Sequence, residues 1–239
     1  MSHSRVPPEA RITKLAWAAP CSLVGLVLAA LCVPTSSAAP ANPIELVYSE
    51  HLDEQCSAAE IKAEWVAELH ARLPEFRSMW EAMSPAMLGA VKALTGKSID
   101  PSPRRVLLTL CNSPSQAVFG LSVNMRFALH SFTAEPVPLR YKADTVFHEV
   151  LHDFVSRQTP IESALLSLHR SESRCVRNHL HLLALQKAVL LSLGESQALA
   201  QVVSIDSQLP SGCYKRAWAL VNESDTGYKQ YVAELAGGG

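Results

Sequence analysis

The sequence predicts an α+β domain that is mostly helical, with a small β-sheet preceding a buried helix. Three observations predict it. Apolar residues recur at helical spacing from Ser57 to about Leu94 and again from about Asp144 onward; short apolar runs broken by Asn, Ser, Pro and Gly fill Arg104–Phe132; and one largely apolar segment, "TVFHEVLHDFV" (Thr145 to Val155), carries His148, Glu149 and His152.

In chain order, Ile61, Trp65, Val66, Leu69 and Leu73 mark the first helix, and Phe76, Met79, Trp80 and Met83 continue beyond Pro74 as a second segment or a kink. "SPAMLGAVKAL" restarts a helix, with Ser84 as N-cap and Pro85 in the first helical position. "RRVLLTLC" (Arg104–Cys111) and the runs within Ala117–Phe132 read as strands and turns. The helical pattern returns with the Thr145–Val155 segment, capped by Asp144 or a residue just before it. It continues from Pro160 to about Leu193, over Gln197–Ile205 and over Cys213–Val221, ahead of a short tail.

The chain has 239 residues, 48% hydrophobic and 18% charged, and a formal net charge of −1. That balance leaves no basic stripe to neutralise a phosphate backbone, so nucleic acid is excluded as a partner. The first residues differ from the rest. Arg5, Arg11 and Lys14 precede an apolar run over Leu15–Val33, and small residues end at Ser36-Ser37-Ala38, which are the parts of a secretory signal peptide. Residues 1–38 are therefore expected to leave by cleavage after Ala38, and residues 39–239 to form a single domain without stable membrane insertion, periplasmic or secreted.

An uncleaved anchor is one alternative. A lipid-anchored form processed before Cys32 is another, disfavoured by Leu31 where a small residue is usual. Cys56, Cys111, Cys175 and Cys213 remain after cleavage. Four cysteines in an exported chain suggest two disulfides, with Cys56–Cys111 and Cys175–Cys213 the preferred pairing and buried free thiols the alternative.

His148 and His152, four positions apart on a helix, project from one face one turn apart, so two imidazoles can reach one metal ion. Glu149 stands beside the first of them and can reach a water held by that ion without ligating it. This is the mechanical content of H-E-x-x-H, two zinc ligands and a general base. Burying these groups without partners costs several kcal/mol, which a metal would offset.

At these residues the chain resembles the zincin metallopeptidases, in which such a helix lies beside a small sheet whose edge strand binds extended substrate. The resemblance covers the motif and the order of elements around it. It implies a zincin-like fold, Zn²⁺, and hydrolysis of a peptide bond in a peptide or protein substrate. The metzincin variant is absent, because Val155 stands where that group has Gly and no third His follows in "DFVSRQT". A non-catalytic zincin-derived binding or envelope protein is the alternative.

A catalytic zinc needs a third protein ligand. His179 is the first choice, from a helix apolar on nearly every side that carries it in one stripe with Val176 and Leu183. Glu172 is the alternative, lying 20 positions after His152 as the glutamate ligand does in thermolysin-like members of the clan. His181 and His169 follow. Glu162 is expected in a capping box with Thr159 and Pro160 instead. Tyr214, Tyr228 or Tyr231 could donate a hydrogen bond to an oxyanion, as a tyrosine does in several zincins.

Overall fold

The computed structural model describes residues 42–56, 61–117 and 120–237, so the expected signal peptide lies outside the described residues. Three short strands, β1 (Ile44–Tyr48), β2 (Arg104–Thr109) and β3 (Leu121–Asn124), form a wholly parallel sheet in the order β1-β2-β3. Register pairs Leu46 with Val106 and Val106 with Leu121, which stacks buried apolar side chains across the sheet. Between β1 and β2 run α1 (Glu50–Gln55) and the long α2 (Ala63–Thr95); a parallel pair needs such a crossover. After β3 come α3 (Leu139–Gln158), α4 (Ala164–Leu168), α5 (Arg174–Ser192), α6 (Ser196–Asp206), α7 (Cys213–Val221) and α8 (Tyr228–Ala236). The architecture is α+β, helix-rich with one small sheet ahead of the helix bearing the two histidines.

α3 is the centre of the molecule. It packs against α2, α5, α6 and β3, and Val146, Phe147, Val150 and Leu151 are wholly buried. α5 is buried almost as completely and lies against α2, α3, α7 and α8. The two helices that carry His148, His152 and His179 therefore form the core itself; His148 and His179 are buried and held by packing, and His152 is half-buried.

Several boundaries differ from the sequence expectation. β1 and α1 are additional: Ile44 and Leu46 point inward, and Ser49 caps α1 by accepting from the Leu52 amide. α2 runs unbroken through Pro74 and Pro85, and Ser84 is a buried side chain inside it, hydrogen-bonded by Asn42 rather than capping anything. An internal proline costs about 3 kcal/mol. Burial of Trp65, Leu69, Leu73, Phe76, Trp80 and Val91 along one face outweighs that cost, and both prolines sit on the exposed side.

α3 begins at Leu139, nearly two turns before Thr145, so Asp144 is an interior residue paired with Arg140 rather than a cap. Thr159 closes α3 instead of opening the next helix; its amide and hydroxyl both donate to the Val155 carbonyl, and Glu162 is exposed. The span from Pro160 to Leu193 is two helices, because Ser163 and Ser173 each act as an N-cap.

The outer edge of β3 is partly covered by the chain itself. Gln116 pairs with Ser122 through both backbone hydrogen bonds, each 2.9 Å, and the Asn124 amide donates to the Ser115 hydroxyl. The chain folds back on its own strand there, so those groups are not available to an extended peptide.

Two disulfides, Cys56–Cys111 and Cys175–Cys213, hold the chain together, with Cα separations of 5.7 and 6.1 Å. They fit an exported protein. No helix among the described residues is long and apolar enough to cross a membrane.

Candidate metal centre

His148 and His152 lie one turn apart on α3, and His179 faces them from α5. Each offers a ring nitrogen, and the three nitrogens lie within 4.8 Å of one another. Ring centroids are 4.9 Å apart for His148 and His152, 5.4 Å for His148 and His179, and 5.0 Å for His152 and His179. Three imidazoles converge on one point.

Hydrogen bonding decides which nitrogens point there. His148 Nδ1 lies 3.2 Å from the Gln186 Oε1 and His179 Nδ1 lies 2.7 Å from the Cys175 carbonyl oxygen, so each ring donates its N–H away from the cluster. The Nε2 atoms of both rings are left buried with no hydrogen-bond partner. Two orphaned lone pairs in a core are costly, and rings oriented by an acceptor behind Nδ1 are the usual arrangement of histidine metal ligands.

Burial pushes the His148 ring well below its ordinary range, reinforced by the neighbouring His152 and His179. Burial and His179 take His152 down to about 4, and burial lowers His179 against the pull of the Cys175 carbonyl. All three are neutral near pH 7, the form that ligates.

Glu149 is 3% exposed and lines a cavity of about 650 Å³ that also reaches His148, Gln186 and Tyr214. Burial lifts its carboxyl to about 8. Tyr214 stacks close to the cluster, its ring centroid 4.6 Å from that of His179 and 5.6 Å from that of His148. Burial and the nearby Glu149 raise the Tyr214 hydroxyl far above its ordinary value, so it keeps its proton. Its position follows from the Cys175–Cys213 bond, which ties the first residue of α7 to the first turn of α5.

The other candidates lie apart from this cluster. Glu172 is ion-paired with Arg216, at 2.6 Å. His181, two residues from His179, points away and meets Glu234 at 2.6 Å, while His169 meets the Tyr231 hydroxyl at 2.9 Å. Tyr228 packs beneath Lys187. Two further groups, Cys175 with His179 and Cys213, and Asp53 with Cys56 and Cys111, are close-set, but their cysteines are disulfide-bonded and offer no thiolate. Gln186 was not a candidate from the motif; it stands seven positions after His179 on an otherwise apolar helix face, and that spacing is the signal that finds it.

No protein-family model, curated protein or solved structure matches this chain.

The arrangement suits a first-row divalent ion of borderline softness, zinc foremost. Three imidazoles from two packed helices, beside a cavity that His148 also lines, would be a fitting ligand set for such an ion. Tetrahedral coordination at 2.0–2.1 Å needs ligand nitrogens roughly 3.3 Å apart. The three nitrogens lie within 4.8 Å of one another, at most about 1.5 Å beyond that spacing.

Proposed function

We propose that this chain is an exported zinc-dependent metallopeptidase of the zincin type, acting on a peptide or protein substrate in the periplasm or outside the cell. His148, His152 and His179 hold the zinc and Glu149 is the general base. The observation that supports this reading is the pair of sealed, unpartnered imidazole nitrogens of His148 and His179, aimed with His152 at one point beside a cavity that Glu149 lines.

Zinc, when bound, polarises a carbonyl and acidifies a coordinated water. Gln186 and the Cys175 carbonyl hold two of the ligand rings in the tautomer that frees Nε2. The Glu149 carboxyl, brought down from about 8 by the positive charge of a bound zinc, could take up that proton and return it to the leaving amine. Tyr214 keeps its hydroxyl proton and donates it as a hydrogen bond to the oxygen that gains charge. The walls of the cavity exclude bulk water around these groups.

A second reading, a zincin-derived binding or envelope protein that holds metal without cleaving peptides, is favoured by the occupied outer edge of β3. Elemental analysis and peptide hydrolysis separate the two. One zinc per chain is expected in the wild type and in Glu172→Ala, with loss in His148→Ala and His179→Ala. Hydrolysis of a mixed peptide pool that disappears in Glu149→Gln supports the peptidase. Stoichiometric zinc without hydrolysis supports the second reading, and no zinc even after its addition ends both.

A further inference from the structure

One cation lies inside the cavity that Glu149 lines. Lys142 is 6% exposed, yet its ammonium has no hydrogen bond or ion pair among the described residues; it lies 5.8 Å from the centroid of the Tyr141 ring. Among the described residues it is the only lysine or arginine lining that cavity. Lysines are almost never buried unless paired, because desolvating an ammonium costs several kcal/mol.

Three carboxyl groups, Asp144, Glu149 and Asp206, line the same cavity and none pairs with the ammonium; Asp144 Oδ1 itself lacks a hydrogen-bond partner. Asp144 accepts from Arg140 at 3.3 Å, and Asp206 accepts from the Tyr141 hydroxyl at 2.8 Å and from the Trp218 indole at 2.9 Å. Phe127, Val137, Val202 and Ile205 supply apolar wall, and the exposed Asn112 and Gln208 stand at the rim. The cavity thus mixes apolar wall with three carboxyl groups and one cation that none of them neutralises by direct contact.

We infer that Lys142 is the anchor of a carboxylate-binding subsite, so that the substrate is a peptide presenting a carboxylate to the cavity. The inference rests on the metallopeptidase reading for where the reacting bond lies. Lys142 precedes Glu149 by seven residues on one face of α3, two turns or about 10 Å along the axis. An extended chain covers about 3.3 Å per residue, so the carboxylate falls within about three residues of the bond beside Glu149. A free chain terminus and an acidic side chain offer the same chemistry at that distance.

The test is titration calorimetry on the zinc-loaded full chain carrying Glu149→Gln, which keeps peptides uncut. Three probes are compared: acetyl-Leu-Leu-Leu with a free terminal carboxylate, the same peptide as its amide, and acetyl-Leu-Glu-Leu amide. One of the two carboxylate probes is expected to bind at least about tenfold tighter than the neutral amide, as a buried charge pair does. A preference for the free acid identifies the chain terminus, and one for the glutamyl peptide identifies an acidic side chain.

Adding Lys142→Met removes the preference, while Lys142→Arg retains it. Equal or undetectable binding of all three probes, or a preference that survives Lys142→Met, overturns the inference. A carboxylate preference in a protein whose wild type cuts no peptide supports the subsite while sinking the peptidase reading, so the two fail separately.

Discussion

An ammonium held in an apolar pocket without a counter-charge opposes folding for as long as it stays charged. Burial takes Lys142 from an ordinary lysine value of 10.5 down to about 8. Lys142→Met keeps the length of the side chain and removes the charge, and is expected to stabilise the protein by about 1–3 kcal/mol in urea unfolding at pH 7. The sign of the pH dependence follows from linkage. Between pH 8 and 10.5 the unfolded chain holds a proton that the folded one has released, so wild-type stability rises through that window and its deficit against Lys142→Met closes. A deficit independent of pH would mean that the ammonium is not the cause. Gln186 makes a different argument at the same scale. It supplies the only acceptor behind His148 Nδ1 among the described residues, and Gln186→Leu is expected to weaken zinc binding about 10–100-fold in a chelator competition, with Gln186→Glu retaining it. His148, Glu149 and His152 were legible because their relation is local, set by one helical turn. Gln186 and Lys142 acquire their meaning only when α5 and the cavity walls close around α3, which no single stretch of sequence encodes.

At the scale of elements, positions of helices followed from periodicity and their ends did not. Ser84-Pro85 has the form of a helix start, and the structure overrides it because the apolar stripe of α2 continues in phase on both sides. Thr159-Pro160 has the same form, and there the serine caps Ser163 and Ser173 compete and prevail. The disulfides have the connectivity preferred among the three that four cysteines allow, and that pairing has a consequence for the site. Cys175 lies in the first turn of α5, four residues before His179, and Cys213 directly precedes Tyr214. Replacing Cys175 and Cys213 together by serine is expected to cost about 4 kcal/mol for a loop of 38 residues, and also to weaken zinc binding, because the start of α5 and the Cys175 carbonyl behind His179 Nδ1 lose their anchor. The equivalent change at Cys56 and Cys111, which ties the end of α1 to the segment after β2 across 55 residues, costs a similar amount and leaves zinc affinity unchanged. Equal effects of the two pairs on zinc would show that the Cys175–Cys213 bond acts on global stability and not on the site.

Across the whole molecule, the sheet is subordinate to the helices. Short apolar runs are compatible with parallel or antiparallel pairing, so strand direction was beyond the sequence pattern. The 55 residues between the end of β1 and the start of β2 contain the crossover that makes them parallel. What the fold supplies to the site is a core in which α3 and α5 cannot shift without disturbing α2, α6, α7 and α8, so the three imidazoles are organised before any ion arrives. On the proposed function, that organisation would make zinc a stabilising ligand for the whole chain. An ion bound to the folded and not the unfolded state contributes about 2.7 kcal/mol at one hundred times its dissociation constant. In a domain of this size that raises the melting temperature by about 5–10 °C. The wild type and Glu172→Ala are expected to show this rise on adding zinc and to lose it on chelation, while His148→Ala and His179→Ala melt at a temperature that zinc does not move. A zinc-dependent rise that survives both histidine changes would put the ion at some other group of side chains and leave the crossing of α3 and α5 as packing alone.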